Sequence, residues 1–195
     1  DFLNLLNERM SGGTATADDF LSRARIHSAN GNWDDAATDF QEATALLGDQ
    51  APKWFEAGEW VIGPYPGNLQ QPYQPELTPD FDPLKSLQRV AVDSVAPEAK
   101  DLSWQIAKPG FAQGANLSVH VGTAENISAY AISKVYAPRV TYVSALIGAA
   151  RFDEHRLWHN GKLIYEDLQS NVQGRWPDEG NIAVKLEPGW NTFLV

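Results

Sequence analysis

The residues able to do chemistry are few and scattered. The chain holds four histidines, at 27, 120, 155 and 159. A strand through His155–His159 sets 155, 157 and 159 on one face, and with Asp153 the two imidazoles would offer nitrogen and oxygen donors to a transition metal. Leu157 stands between them on that face and no helix-borne His-Glu pair completes the set, so no metal site is assigned. Nucleophilic catalysis needs a Ser, Thr or Cys beside a base and an orienting acid. No nucleophile-elbow pattern occurs, His27 occupies a helical packing position, and His120 alternates with Val119 and Val121 as in a strand. The acid pairs Asp34-Asp35, Asp153-Glu154, Glu166-Asp167 and Asp178-Glu179 are sequence neighbours in expected turns. Glycoside hydrolysis instead needs two acids facing each other across a cleft. No catalytic residue is assigned, and the chain reads as a non-enzyme.

Aromatic residues carry the remaining signal. Arg175-Trp176-Pro177-Asp178 puts a stacking surface, a bidentate donor and an acceptor within four residues. Sugars bind by laying their apolar face on an aromatic ring while polar neighbours take the hydroxyls. Trp158 and Tyr165 lie near the same region in sequence. The ligand-binding candidates are therefore Trp176, Arg175, Asp178 and Trp158. The competing reading folds Trp176 back onto the strands with its charged neighbours in solvent. Trp60, Trp104 and Trp190 fall in strand-like runs and read as core.

These residues need a frame. Residues 1–51 are helical in pattern. A short amphipathic stretch from Phe2 stops at Ser11-Gly12-Gly13. A second helix, capped by Thr16 or Asp18, runs to Ala29, and Asn30-Gly31-Asn32 breaks it. A third spans Trp33 to Leu47 and ends at Gly48, which suits the left-handed position after a helix. From Pro52 the pattern changes. A strand from Glu59 should stop at Pro64 and Pro66, and residues 66–83 form a Pro-rich excursion. Short apolar runs then follow at Val90–Val92, Leu102–Ile106, Leu117–Val121, Ile127–Val135, Val140–Ile147, His155–His159, Leu163–Tyr165, Ile182–Leu186 and Trp190–Val195. That spacing suggests an antiparallel sandwich. Asn160-Gly161 is its strongest hairpin signal, since both central residues of a type I′ turn need positive φ.

Composition limits the partners. The 195 residues carry 25 acids and 15 basic residues, a formal charge of −10. Nucleic acid is excluded, because its binding depends on Lys and Arg neutralising phosphates. With no cysteine, disulfides and thiolate metal sites are excluded. No apolar run approaches the roughly 18 residues of a membrane helix, so membrane insertion is not expected. Residues 1–51 hold nine acids and three bases (−6), leaving sixteen and twelve (−4) for 52–195. The helical part is thus the more acidic. The chain opens at Asp1 without Met or signal peptide and closes at Val195 within an expected strand, which reads as a piece of a longer protein.

Two family resemblances sharpen this frame. Asn30-Gly-Asn-Trp-Asp-Asp35 followed by Ala36-x3-Phe40-x2-Ala43 resembles the second helix of a tetratricopeptide repeat, although Phe20, Ala24 and His27 replace the residues usual in its first helix. The remainder carries Trp60-Val-Ile-Gly-Pro-Tyr-Pro66, Ala129-Tyr-Ala-Ile132, Arg156-Leu-Trp-His-Asn-Gly-Lys162 and Val184-Lys-Leu-Glu-Pro-Gly-Trp-Asn-Thr-Phe-Leu194. This series is similar to the galactose-binding-like and protective-antigen-like jelly-roll modules of multidomain, planctomycete-like bacterial proteins. It departs from them at Asp153-Glu154 and at His159. The resemblances imply a mainly β chain, a tetratricopeptide-like α-helical hairpin in 1–51 preceding a jelly-roll β-sandwich in 52–195. Related jelly rolls often hold calcium, so a structural calcium ion has a place in this expectation; no other cofactor does. The implied function is a non-catalytic binding or scaffolding module. Its partners would be carbohydrate or another protein, and neighbouring domains of the same polypeptide. The alternative is a purely structural spacer. The compartment is left open by the sequence, with an extracytoplasmic setting, periplasmic or secreted, favoured over others.

Overall fold

The computed structural model describes residues 2–66, 72–77, 81–89, 100–107, 120, 127–147, 154–168 and 180–195. The expected runs Val90–Val92 and Leu117–Val121 lie outside them, apart from His120. That residue has helical rather than strand backbone, and its Nδ1 sits 3.2 Å from Gln105 Oε1. Four helices and ten strands are described: α1 (Phe2–Ser11), α2 (Ala17–Ala29), α3 (Trp33–Leu47), β1 (Phe55–Pro66), α4 (Gln74–Leu77), β2 (Ser86–Arg89), β3 (Lys100–Ser103), β4 (Gln105–Ile106), β5 (Ile127–Ala137), β6 (Thr141–Ile147), β7 (His155–His159), β8 (Lys162–Asp167), β9 (Gly180–Leu186) and β10 (Gly189–Leu194). The chain is mainly β. A six-stranded antiparallel sheet has the order β4-β1-β5-β10-β7-β8, and two-stranded sheets pair β2 with β3 and β6 with β9.

Local chemistry accounts for most boundaries. Thr16 and Asp19 form a reciprocal capping box at the start of α2, with the Thr16 N–H and Oγ1 each 2.8 Å from Asp19 Oδ2. These bonds, backbone first, hold the Asp19 carboxyl below the usual carboxylate range. Gly48 ends α3 at φ 55°. The turn at Asn160-Gly161 has φ of 49° and 76°, and His159 pairs with Lys162 across it. β1 begins at Phe55, four residues before the expected start, passes Pro64 and ends at Pro66, the second of the two prolines expected to stop it. The β1–β4 ladder involves only Trp60 and Val61, so Pro64, which lacks an N–H, lies beyond it and removes no rung on that side.

The chain divides into two compact units. The first comprises Asp1–Gly58, Lys134–Tyr142 and Lys185–Asn191. Its core is centred on Phe40 of α3, stacked on Phe55 at 5.1 Å and on Tyr136 at 5.5 Å, with the edge of Trp190 at 5.9 Å. Ala24, Ala36 and Ala43 are fully buried; their small size lets α2 and α3 approach and leaves the space that Phe40 fills. Trp33 meets Trp190 edge-on at 5.2 Å, and the Trp190 indole N–H donates to the Trp33 carbonyl. Gln41 donates to the Tyr136 hydroxyl. Phe40 and Trp33 are thus packed partly against strand residues more than ninety positions away, Tyr136 and Trp190.

The second unit comprises Glu59–Ser133, Val143–Val184 and Thr192–Val195. Trp60, Val61, Ile62, Tyr65, Tyr130 and Leu157 are among its buried residues. Phe81 packs between Trp60 and Trp104, at 5.0 and 5.1 Å. Trp60 is buried as expected of a core residue, whereas Trp104 is half-buried in the break between β3 and β4.

Candidate functional site

Of the sequence-derived ligand candidates, Arg175, Trp176 and Asp178 lie outside the described residues. Trp158 is half-buried in β7, opposite Leu163 of β8 and Leu194 of β10. Its neighbours in the ladder are apolar, as befits a packing residue. The two β7 histidines have aromatic surroundings: His155 lies 5.6 Å from the Tyr165 ring and His159 is stacked on Phe193 at 4.8 Å. Leu157 between them is buried. The ladder also shifts register between Leu157 and Trp158, where Ile164 is an extra residue on β8. Among the described residues no group of three or more His, Cys, Asp or Glu side chains is placed to hold a metal ion.

Of the acid pairs expected in turns, Asp178-Glu179 and Asp153 lie outside the described residues, and the other two pairs fall in regular elements. Glu166 and Asp167 belong to β8, and Glu166 accepts a 2.6 Å bond from Arg156 Nε. On a strand, neighbouring acids point to opposite faces, so only one of them reaches the arginine. Asp34 and Asp35 open α3, where the helix dipole favours negative charge.

The second unit assembles a polar cluster that no motif announced. The Tyr130 hydroxyl donates to Glu76 Oε1 at 2.5 Å, and Glu76 Oε2 lies 3.9 Å from Arg156 Nη1. Tyr65 is completely buried at 5.6 Å from Tyr130 and 5.0 Å from Tyr73, and its hydroxyl has no hydrogen-bond partner among the described residues. Burial pushes the Tyr65 phenol up to about 12 and raises Tyr73; Tyr130 is raised by burial first and then by Glu76. This cluster fastens α4 to β5. It is enclosed, and its chemistry is that of an anchor.

The first unit contains an open cleft with the opposite character. Its volume is about 430 Å³, and its walls include Leu21, Phe40, Phe55, Trp54, Arg25 and Lys53. Leu21 and Arg25 are four apart on α2 and so share a face. Phe55 and Ala57 turn inward while Trp54 and Glu56 are exposed, the alternation of an extended segment. Trp54 keeps 39% of its surface exposed. Arg25 and Lys53 have no ion-pair partner among the described residues, unlike Arg9 and Arg23 of the same unit, which pair with Asp19 and Asp39 at 2.7 Å. A ligand entering here would meet an apolar floor, an indole face and two free cations. Sequence reading missed this site because its parts lie thirty residues apart and Lys53-Trp54 carries no motif. The one available signal was a Trp two residues after Pro52, next to Lys53 at the start of the strand-like run.

Compared with models of known families, with curated proteins and with solved structures, the chain matches none.

Proposed function

We propose that the chain is a non-catalytic binding module and that the cleft of the first unit is its recognition surface. The observation that carries this reading is Trp54. A large aromatic ring left 39% exposed beside an apolar hollow is the arrangement by which binding sites hold apolar surface accessible. The volume also falls in the range usual for ligand clefts, roughly 300–1,000 Å³. In this reading α2 and α3 form a tetratricopeptide-like hairpin, whose buried Ala36, Phe40 and Ala43 support the comparison. The strands form a jelly-roll sandwich, for which the antiparallel six-stranded sheet and the two smaller sheets are the support. A protein segment or a carbohydrate is the ligand.

The test is fluorine NMR of protein labelled with 5-fluorotryptophan, with resonances assigned by single Trp→Phe variants. Pooled peptides and pooled oligosaccharides are added in turn. A ligand should move the Trp54 resonance first. Movement confined to Trp158 and Trp176 would transfer recognition to the loop singled out in the sequence. No movement with either pool would leave the spacer reading.

A further inference from the structure

Resting on that assignment of the cleft, we propose that its occupant is an acidic segment of a partner protein, with an apolar or aromatic side chain as anchor and flanking Asp or Glu residues. Three observations point the same way. The floor of Leu21, Phe40 and Phe55 takes apolar surface and offers no side-chain hydrogen bond. Above it stand Arg25 and Lys53, both exposed and both without an ion pair among the described residues. Glu56 is the single acid in the lining, so the cleft is net positive in a chain whose overall charge is −10. Local charge opposite to that of the whole molecule favours an anionic partner at this place and repels one elsewhere.

A neutral sugar fits this lining less well. Its hydroxyls need paired donors and acceptors, whereas the cleft offers two cations and one carboxylate. An anionic polysaccharide would satisfy the cations and leave the apolar floor in contact with hydroxyls. A peptide with an apolar anchor between carboxylates meets both features. Trp54 would cover the anchor, and Arg25 would grip a carboxylate bidentately.

The experiment uses three pools of fluorescein-labelled octapeptides with both termini capped. Each has one fixed central Trp or Leu, and flanks drawn from Asp/Glu, from Asn/Gln or from Lys/Arg. Binding is followed by fluorescence polarisation at 50 and 300 mM NaCl, with neutral oligosaccharides and polygalacturonate as competitors. The acidic pool should bind at least fivefold tighter than the amide pool at low salt, and high salt should erase most of that margin. In R25Q/K53Q the acidic and amide pools should bind alike, whereas W54A should weaken both. Circular dichroism checks that these exposed-residue variants fold. Equal binding of acidic and amide pools, both weakened by W54A, would overturn the acidic occupant and keep the cleft. Binding of every pool indifferent to W54A, or no binding, would overturn both. Displacement by polygalacturonate stronger than by the acidic peptides would overturn the peptide in favour of an anionic glycan.

Discussion

Asn160 and Asn191 each use a side-chain amide to close a turn. Asn160 Oδ1 accepts from the Thr192 N–H at 2.8 Å while its own N–H donates to the Thr192 carbonyl, tying the β7–β8 hairpin to β10. Asn191 is fully buried. It donates to the carbonyls of Glu187 and Gly189 and accepts from the Glu187 N–H. Replacing Asn191 by Ala strands three backbone groups and should cost about 1–3 kcal/mol, read as a lowered urea midpoint. Replacing Gly161 by Val forces a β-branched residue to φ 76° and should cost about 1–3 kcal/mol; an unchanged melting temperature would contradict the turn. Both asparagines sit in the sequence motifs that carried the jelly-roll resemblance, and their partners are backbone atoms. The Asn-Gly turn was legible because positive φ has a residue code. The partners of Asn191 were not, because a buried amide and an exposed one are the same letter.

At the scale of elements, the hairpin α2–α3 is held by a bidentate ion pair and a shared ring. Arg23 Nε and Nη2 donate to the two Asp39 carboxylate oxygens at 2.9 and 2.7 Å, with Asp39 1% exposed. R23M removes the bidentate partner of a buried carboxylate, leaving only His27 Nε2 at 4.0 Å among the described residues, and should cost about 3 kcal/mol. Adding D39L should recover part of the loss, since the pair then disappears as a unit; a double variant no more stable than R23M would contradict this. F40A removes the ring shared by Phe55, Tyr136 and Trp190 and should cost about 3–5 kcal/mol. The helices, their caps and Phe40 were readable from spacing, because helical periodicity is local. That Tyr136 and Trp190 complete the same core was not readable, since pairing between distant strand residues has no local signature. The strand's passage through Pro64 to Pro66 was not fixed by the prolines alone, because a proline weakens a ladder only where its missing N–H faces a partner strand.

On the scale of the whole molecule, stability and the proposed recognition lie in different chemistry. The buried phenols of Tyr65, lifted to about 12, and of Tyr130, raised further by burial and Glu76, stay neutral in the fold. In the unfolded chain they ionise near the usual 10. Their contribution is complete below pH 10 and is lost as pH climbs from 10 towards 12. The urea midpoint should therefore hold between pH 7 and 9 and fall by pH 11; a constant midpoint would contradict the burial of these hydroxyls. Recognition is proposed instead for the cleft around Trp54, whose cations Arg25 and Lys53 are exposed. The most direct test of that assignment is hydrogen exchange of the intact protein with and without the acidic octapeptide pool. Bound peptide should slow exchange in peptides covering 19–27 and 52–58 while leaving 154–168 unchanged. Protection confined to 154–180, with none at 52–58, would contradict it.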